Sequence, residues 1–524
     1  MKYNLIVAQR EQLMLLPPSL GDWLPSDHLV YQVIDAVEQM DMAPFLARYN
    51  PEGEGQAAFD PALMVALLLF GYCVGERSSR RLERHCYEHV AFRVVTGNRQ
   101  PHFTTIARFR REHEAALTTV FSQVLQLCSR AGLIDLSLLA IDGTKIAANA
   151  ALAANREEGW IDEQVRRMLS EAEAADAAED AALGERRGDE LVGACGDRER
   201  RLSKLRAAKA ELEGQQEARD LDFATRLLER KRAEQAGGKK KRGRKPEPLP
   251  TPEKPQANLT DPQSRIMKER RGYVQGYNAQ AVVSKDQIVV AGALTQQAND
   301  VGQLEPMLER MQHNLDALGA GEPIRTIGTV LGDAGYWSDR NATGPSAERY
   351  DLLLATRNRH KQQRAERERA ESEGPERVAE KPRERMEERL RSEEGKAAYS
   401  RRGVIVEPVF GHVKEVRRGR RFMRRGLSAC ESEWSLMTAA HNMCKLHRHH
   451  LRTGEKASGT AGSPRLRQRA TRADRRVGAF RRRSVFRSRS RLRRANKLCY
   501  RLHGESIFTE RPLRIQARWR LPRQ

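Results

Sequence analysis

The sequence lacks any run of about eighteen apolar residues, which excludes a membrane-spanning helix. Charges are scattered through its N-terminus, with neither the apolar stretch nor the small-residue cleavage site of a signal peptide, so the expected location is the cytoplasm. Cysteine is scarce. The seven thiols, Cys73, Cys86, Cys128, Cys195, Cys430, Cys444 and Cys499, form no CxxC pair, and their number is odd. That excludes a disulfide framework and a cysteine-based zinc site, and it fits reduced thiols. Acidic residues are almost missing from one region: residues 451–524 hold 23 Lys and Arg against 4 Asp and Glu. Most of the net charge of +23 falls there, so charge alone does not make the rest of the chain a nucleic-acid binder.

What is present suggests two to four domains in 524 residues. Residues 1–130 read as helical. Asp60-Pro61 starts an almost wholly apolar helix to Val74, a second begins near Ser78-Ser79, and Gly97 closes that segment. A third follows Thr104, with Ile106, Phe109, Leu117, Val120, Phe121 and Val124 as its buried residues. Arg108, Arg110 and Arg111 lie among them. Short helices ending on a basic one suit a helix-turn-helix-like DNA module. An all-helical packing domain with surface arginines has the same pattern.

From 136 the periodicity changes. Leu138-Leu139-Ala140-Ile141 reads as a buried strand ending at Asp142-Gly143. Residues 155–235 interrupt it: Ile161, Val165, Met168, Ala172 and Ala175, then Leu202, Leu205 and Leu212, are spaced as in a helical hairpin. A basic run from Lys239 to Lys245 and a Pro-rich stretch to Pro255 follow, a linker by composition. Strand signals resume at 276, where Tyr277, Ala279, Ala281 and Val283 alternate, and continue from Ile288 to Leu294. A helix begins at Asn299-Asp300, buries Leu304, Met307, Leu308, Met311, Leu315 and Leu318, and ends at Gly319. Asp300 with Gln303 resembles a capping box, so Asp300 reads as a cap. Ile327–Leu331 is a strand ending at Gly332-Asp333, and Tyr350–Ala355 is another. Residues 357–398 are charged and expected to be exposed. A last helical region starts at Glu407 and runs to about His447, anchored by Trp434, Met437 and Leu446. The tail from 451 has no periodic core pattern and reads as disordered, DNA-associated or the product of a shifted reading frame.

Three carboxylates stand out. Asp142 and Asp333 each end an apolar strand, and Glu407 begins a helix. A strand-end Asp alone is more often a turn residue, and a Glu before Pro is usually a helix cap. The ordered set argues otherwise, because strand with Asp, two strands, helix, strand with Asp, strand, then helix with Glu brings all three acids together. Oxygen-only ligands suit Mg²⁺ or Mn²⁺, and two such ions suit in-line phosphoryl displacement.

The motifs Arg77-Ser78-Ser79-Arg80-Arg81-Leu82-Glu83, Pro101 to Arg110, Asp142-Gly143-Thr144, Gly276 to Gln280, Asp333-Ala334-Gly335-Tyr336 and Glu407-Pro408-Val409-Phe410-Gly411 with Lys414 resemble, in this order, the DDE transposases of bacterial insertion sequences. The resemblance covers roughly residues 15–150 and 257–448. It implies an α/β fold, with an RNase H-like mixed-sheet catalytic domain at 131–152 and 260–450. A helical N-terminal DNA-binding domain (1–130) precedes it, a helical insertion with its basic linker (153–259) splits it, and the Arg-rich tail (451–524) follows. It implies Asp142, Asp333 and Glu407 as metal ligands for two Mg²⁺ or Mn²⁺ ions. Tyr399, Arg402 and Lys414 become DNA contacts beside Arg108, Arg110 and Arg111. Lys414 lies two helical turns beyond Glu407. Four residues, 403–406, separate Arg402 from Glu407, one more than is usual in the family. The implied substrate is double-stranded DNA, cleaved at transposon ends and joined to a target by a homodimer. Such a protein is nucleoid-associated when bound. A hydrolysis-only nuclease and an inactive DNA-binding descendant are the alternatives. His441 reads as a core or surface histidine, and Tyr336 as either a packed residue or a base-stacking one.

Overall fold

The computed structural model describes residues 4–6, 20–52, 55, 57–183, 192–237, 247–248, 254–269, 272–318, 327–357 and 381–454. The basic run 239–245, most of the Pro-rich stretch, residues 358–380 of the charged segment and the tail from 455 lie outside them. Among the described residues no helix is long and apolar enough to cross a membrane.

The N-terminal helices include α1 (Leu29–Glu38), α2 (Pro61–Cys73), α3 (Ser79–Glu88), α4 (Phe103–Glu112) and α5 (Glu114–Arg130). Asp60 caps α2 by accepting from the Ala62 amide at 2.9 Å, with Pro61 in the first turn, as the sequence predicts. Nearly every side chain of α2 is buried, so this helix is interior on all sides. The expected single helix after Thr104 is two, divided at His113.

One six-stranded sheet organises the rest. Its strands are β1 (Leu138–Ala147), β2 (Arg265–Glu269), β3 (Gly272–Ser284), β4 (Val289–Thr295), β5 (Thr329–Gly332) and β6 (Asp351–Leu354). The order is β6-β5-β1-β3-β2, with β4 also on β3. β1 pairs antiparallel with β3 and parallel with β5, and β5 is parallel to β6. The outer edge of β3 is divided, its first half held by β2 and its second by β4. The protein is thus mixed α/β with a mixed sheet.

Further helices of the frame are α6 (Glu158–Leu183), α7 (Val192–Gly237), α8 (Leu304–Leu318) and α9 (Glu393–Gly411). The last, α10 (Leu427–Thr453), packs on α5, α2 and β4, so the N-terminal helices and the sheet share one hydrophobic core. Trp434 and Met437 are buried in it, as is Leu446. The α6–α7 hairpin has a small core of its own, with Ile161, Met168, Leu205, Ala208 and Leu212 at its centre. Asn155–Glu157 pairs with Gln256–Asn258 at its base, so the chain leaves and re-enters at one place. The charged segment is helical where described, at Pro382–Arg391 and then in α9, and it buries Met386 and Leu390.

Two sequence expectations about boundaries need correction. Asp142 does not end its strand, because β1 runs on to Ala147 against β3. It is β5 that stops, at Gly332 opposite Ile141. Glu407 does not begin a helix; it lies in the last two turns of α9. Pro408 lacks the N–H that would bond the carbonyl of Val404. The Gln287 side chain donates to that carbonyl instead, at 2.9 Å, so the proline is accommodated inside the helix.

Candidate active site

Parallel pairing of Ile141 with Gly332 sets the site. The next residues are Asp142 and Asp333, so the two aspartates emerge at the same level of neighbouring strands, about 4.8 Å apart across the sheet. Each turns one oxygen inward. Asp142 Oδ1 accepts from the Gly143 amide and Asp333 Oδ1 from the Gly335 amide, both at 2.8 Å. The remaining oxygens converge on Arg402 of α9, which stands 2.9 Å from Asp142 Oδ2 and 3.6 Å from Asp333 Oδ2. α9 packs over β1 and β5, and that packing brings Arg402 into place. Burial pushes the Asp142 carboxyl up to about 6, Arg402 opposes this, and the charges of Asp333 and Asp300 add to it.

Arg402 is therefore held by the aspartates rather than offered to solvent, with its side chain 15% exposed. Tyr399, one turn earlier, is half-buried near the same acids, and burial raises its hydroxyl pKa. Glu407 lies five residues past Arg402, about 140° around the helix, on its flank. It is exposed, makes no hydrogen bond or ion pair among the described residues, and lies against Gly403. The structure thus joins Asp142 and Asp333 through Arg402, whereas Glu407 shares only the helix that carries Arg402 and lies around its flank. Lys414 lies in a π-helical turn, His412–Val416, so the two-turn alignment with Glu407 is not kept. Its ammonium donates to the Lys145 carbonyl at 2.7 Å, which ties it to the strand of Asp142.

Two further expectations are corrected. Arg110 cannot reach DNA: it is 5% exposed and donates to the Arg77 carbonyl at 2.7 Å. Ile106, Phe109, Arg110 and His113 form the buried face of α4, at helical spacing. Arg108 and Arg111 remain exposed. Nor does Asp300 cap a helix. Its side chain makes no cap hydrogen bond; Oδ1 accepts from Asn278 Nδ2 and Gln280 Nε2, each at 2.7 Å. Lys145 Nζ stands 3.8 Å from the same oxygen. The missed signal was the polar pair Asn278 and Gln280, which alternate with Tyr277, Ala279 and Ala281 on an otherwise apolar strand.

Tyr336 is fully buried and donates its hydroxyl to Gln280 Oε1, so it is a packing residue. His441 and Asn442 are core residues: His441 Nε2 bonds the Gln287 carbonyl at 2.8 Å, and Asn442 bonds both backbone groups of Val289. Burial lowers the His441 pKa to about 3. Between the ordinary value of 6.5 and about 3 only the unfolded chain takes up this proton, so stability falls as pH falls through that window. Chemical denaturation from pH 7 to pH 4 is expected to show His441→Gln with a pH slope shallower by up to about 1.4 kcal/mol per unit. An unchanged slope would refute the assignment.

Oxygen donors only, aimed at a cationic group, are the donor chemistry that hard divalent cations require. Paired acids on neighbouring strands of a mixed sheet, with Arg402 between them, form an oxygen-donor site in an α/β protein. Two family matches make this specific. Residues 18–112 match the family described as Transposase domain (DUF772), and residues 355–447 match Transposase DDE domain. Both matched segments are transposase segments and support a DDE transposase of an insertion sequence, a family that acts in DNA transposition and generally uses divalent metal ions. The second match includes Tyr399, Arg402, Glu407 and Lys414 and does not reach Asp142 or Asp333. No curated protein and no solved structure matches the chain.

Proposed function

We propose that this protein cuts DNA at the ends of its element and transfers the freed 3′-OH to target DNA, with Asp142, Asp333 and Glu407 as its catalytic acids. The observation that carries the reading is the side-by-side emergence of Asp142 and Asp333 from strands paired at Ile141 and Gly332. The strand order and directions support an RNase H-like catalytic domain, built from 131–152 and 260–450. On this reading 1–130 is the DNA-binding region, 153–259 an insertion and 451–524 a basic tail.

Asp142, Asp333 and Glu407 would hold Mg²⁺ or Mn²⁺, which when bound offsets the negative charge that gathers on phosphate oxygens during displacement. The chain's own groups do the rest. Burial raises the Asp142 carboxyl to about 6, so it is ionised above that pH. Arg402 offsets the repulsion between the two aspartates. Lys414, fixed to the Lys145 carbonyl, places a positive charge beside β1 where a strand phosphate can be held. Exposed Arg108 and Arg111 add phosphate contacts. Two copies act together, one at each element end, because both ends must be joined to one target.

A labelled duplex carrying the element's ends, incubated with the full chain and Mg²⁺, tests this. Cleaved and then joined products are expected, and pre-cleaved ends should also be joined. Cleavage without joining would reduce the activity to hydrolysis, and metal-independent cleavage would remove the acids from the reaction.

A further inference from the structure

Asp300 is the acid that the catalytic reading leaves out. Its Oδ1 is occupied by two neutral amides, Asn278 and Gln280, and by Lys145. Its Oδ2 faces Gly335, two residues after Asp333: a Cβ there would stand 3.3 Å from Asp300 Oδ2 and 2.9 Å from Asp333 Oδ1. The two carboxylates therefore flank one glycine, and their facing oxygens are within about 6 Å of each other. Across the strand, a Cβ at Gly143 would stand 2.6 Å from Asp300 Oδ1. The glycine that follows each aspartate thus leaves the space in which Asp300 sits, and alanine at either position would crowd it.

A second observation is independent of the acids. Asn278 is fully buried, yet its Oδ1 has no hydrogen-bond partner. That oxygen lies 3.0 Å from the same Gly143 position, so it points into the space beside Asp300. A buried amide oxygen without a donor is costly in an apolar interior, and a cation or its water shell would satisfy it.

We infer that Asp300 is a fourth acid of the divalent-cation site, a positioning residue whose charge, next to Asp333, strengthens cation binding. This rests on the proposed function only in taking Asp142 and Asp333 as the site's centre. Two amide donors fix Oδ1 and orient the carboxylate, with Lys145 at ion-pair distance from the same oxygen. Oδ2 keeps its capacity for a cation or for the water around one.

The test is Mn²⁺ binding to the full chain without DNA, followed by the electron paramagnetic resonance of free Mn²⁺. Asp300→Asn keeps an oxygen for both amides and removes the charge; Asp300→Ser removes it with a smaller side chain, in case the first variant does not fold. Thermal melting shows which variants are folded. Each folded variant is expected to bind Mn²⁺ at least tenfold more weakly, as is Asp142→Asn, which probes the centre of the site. Wild-type affinity in a folded Asp300 variant, with loss in Asp142→Asn, would overturn the role of Asp300 and leave the catalytic reading standing. Wild-type affinity in every variant would overturn both.

Discussion

Asp142→Asn is expected to abolish strand cleavage, by about a thousandfold or more, and at the same time to stabilise the protein. Both effects come from the same burial. The carboxyl is raised to about 6 from an ordinary 3.8, so the unfolded chain ionises first as pH rises. Stability tied to this group is complete below 3.8 and is lost as pH climbs through about 6. Above that pH the folded state carries a penalty bounded by about 3 kcal/mol for two pH units. Asparagine cannot ionise and escapes it, but it gives up the ion pair with Arg402. A net gain of about 1–2 kcal/mol is expected at pH 7.5 in EDTA, shrinking to nothing near pH 4. Paired measurements of end cleavage and thermal melting check this. An inactive variant no more stable than wild type at pH 7.5 would contradict the burial argument, and an active one would remove Asp142 from catalysis.

The second large effect lies far from the chemistry. Glu433 is 1% exposed on α10, and its carboxylate takes Arg77 Nη1 at 2.6 Å together with the amides of Met423 and Arg424. Arg77 also donates to the Arg418 carbonyl at 2.6 Å, and Arg110 donates to the carbonyl of Arg77. Deleting one member of such a pair strands the other charge in the interior. Glu433→Ala is expected to cost about 3–5 kcal/mol in urea denaturation. Arg77→Met combined with Glu433→Leu should cost clearly less than the sum of the single changes, because no charge is then left alone. Additive losses would mean that the pair does not act as a unit. Arg77 falls in the first family match and Glu433 in the second, so this contact fastens the N-terminal helices to α10.

The main sheet was legible in the sequence because its central strands are short apolar runs, such as Leu139 to Ile141, whose composition excludes other uses. The two aspartates were legible for the same reason, since each follows such a run. The boundaries failed where partner strands rather than local sequence decide them. Asp142-Gly143 looks like a strand end, but β3 continues alongside for five more residues. Pro408 looks like a helix start because nothing nearby in sequence reveals that Gln287, 121 positions earlier, supplies the missing donor. In sequence Arg110 groups with Arg108 and Arg111 as a basic cluster, yet its four-residue spacing from Ile106 puts it on the buried face. Asp300 was hidden by a local pattern that fits a cap well. Its real partners lie on a different strand.

The paired segments at the base of the α6–α7 hairpin have a practical consequence. Asn155 sits opposite Asn258 and Glu157 opposite Gln256, so roughly a hundred residues of chain begin and end one strand spacing apart. The hydrophobic centre of that arm is its own. A short turn could replace it, or a reporter domain be spliced in, with the cut ends already side by side and β1 and β3 still held in register by their own ladder.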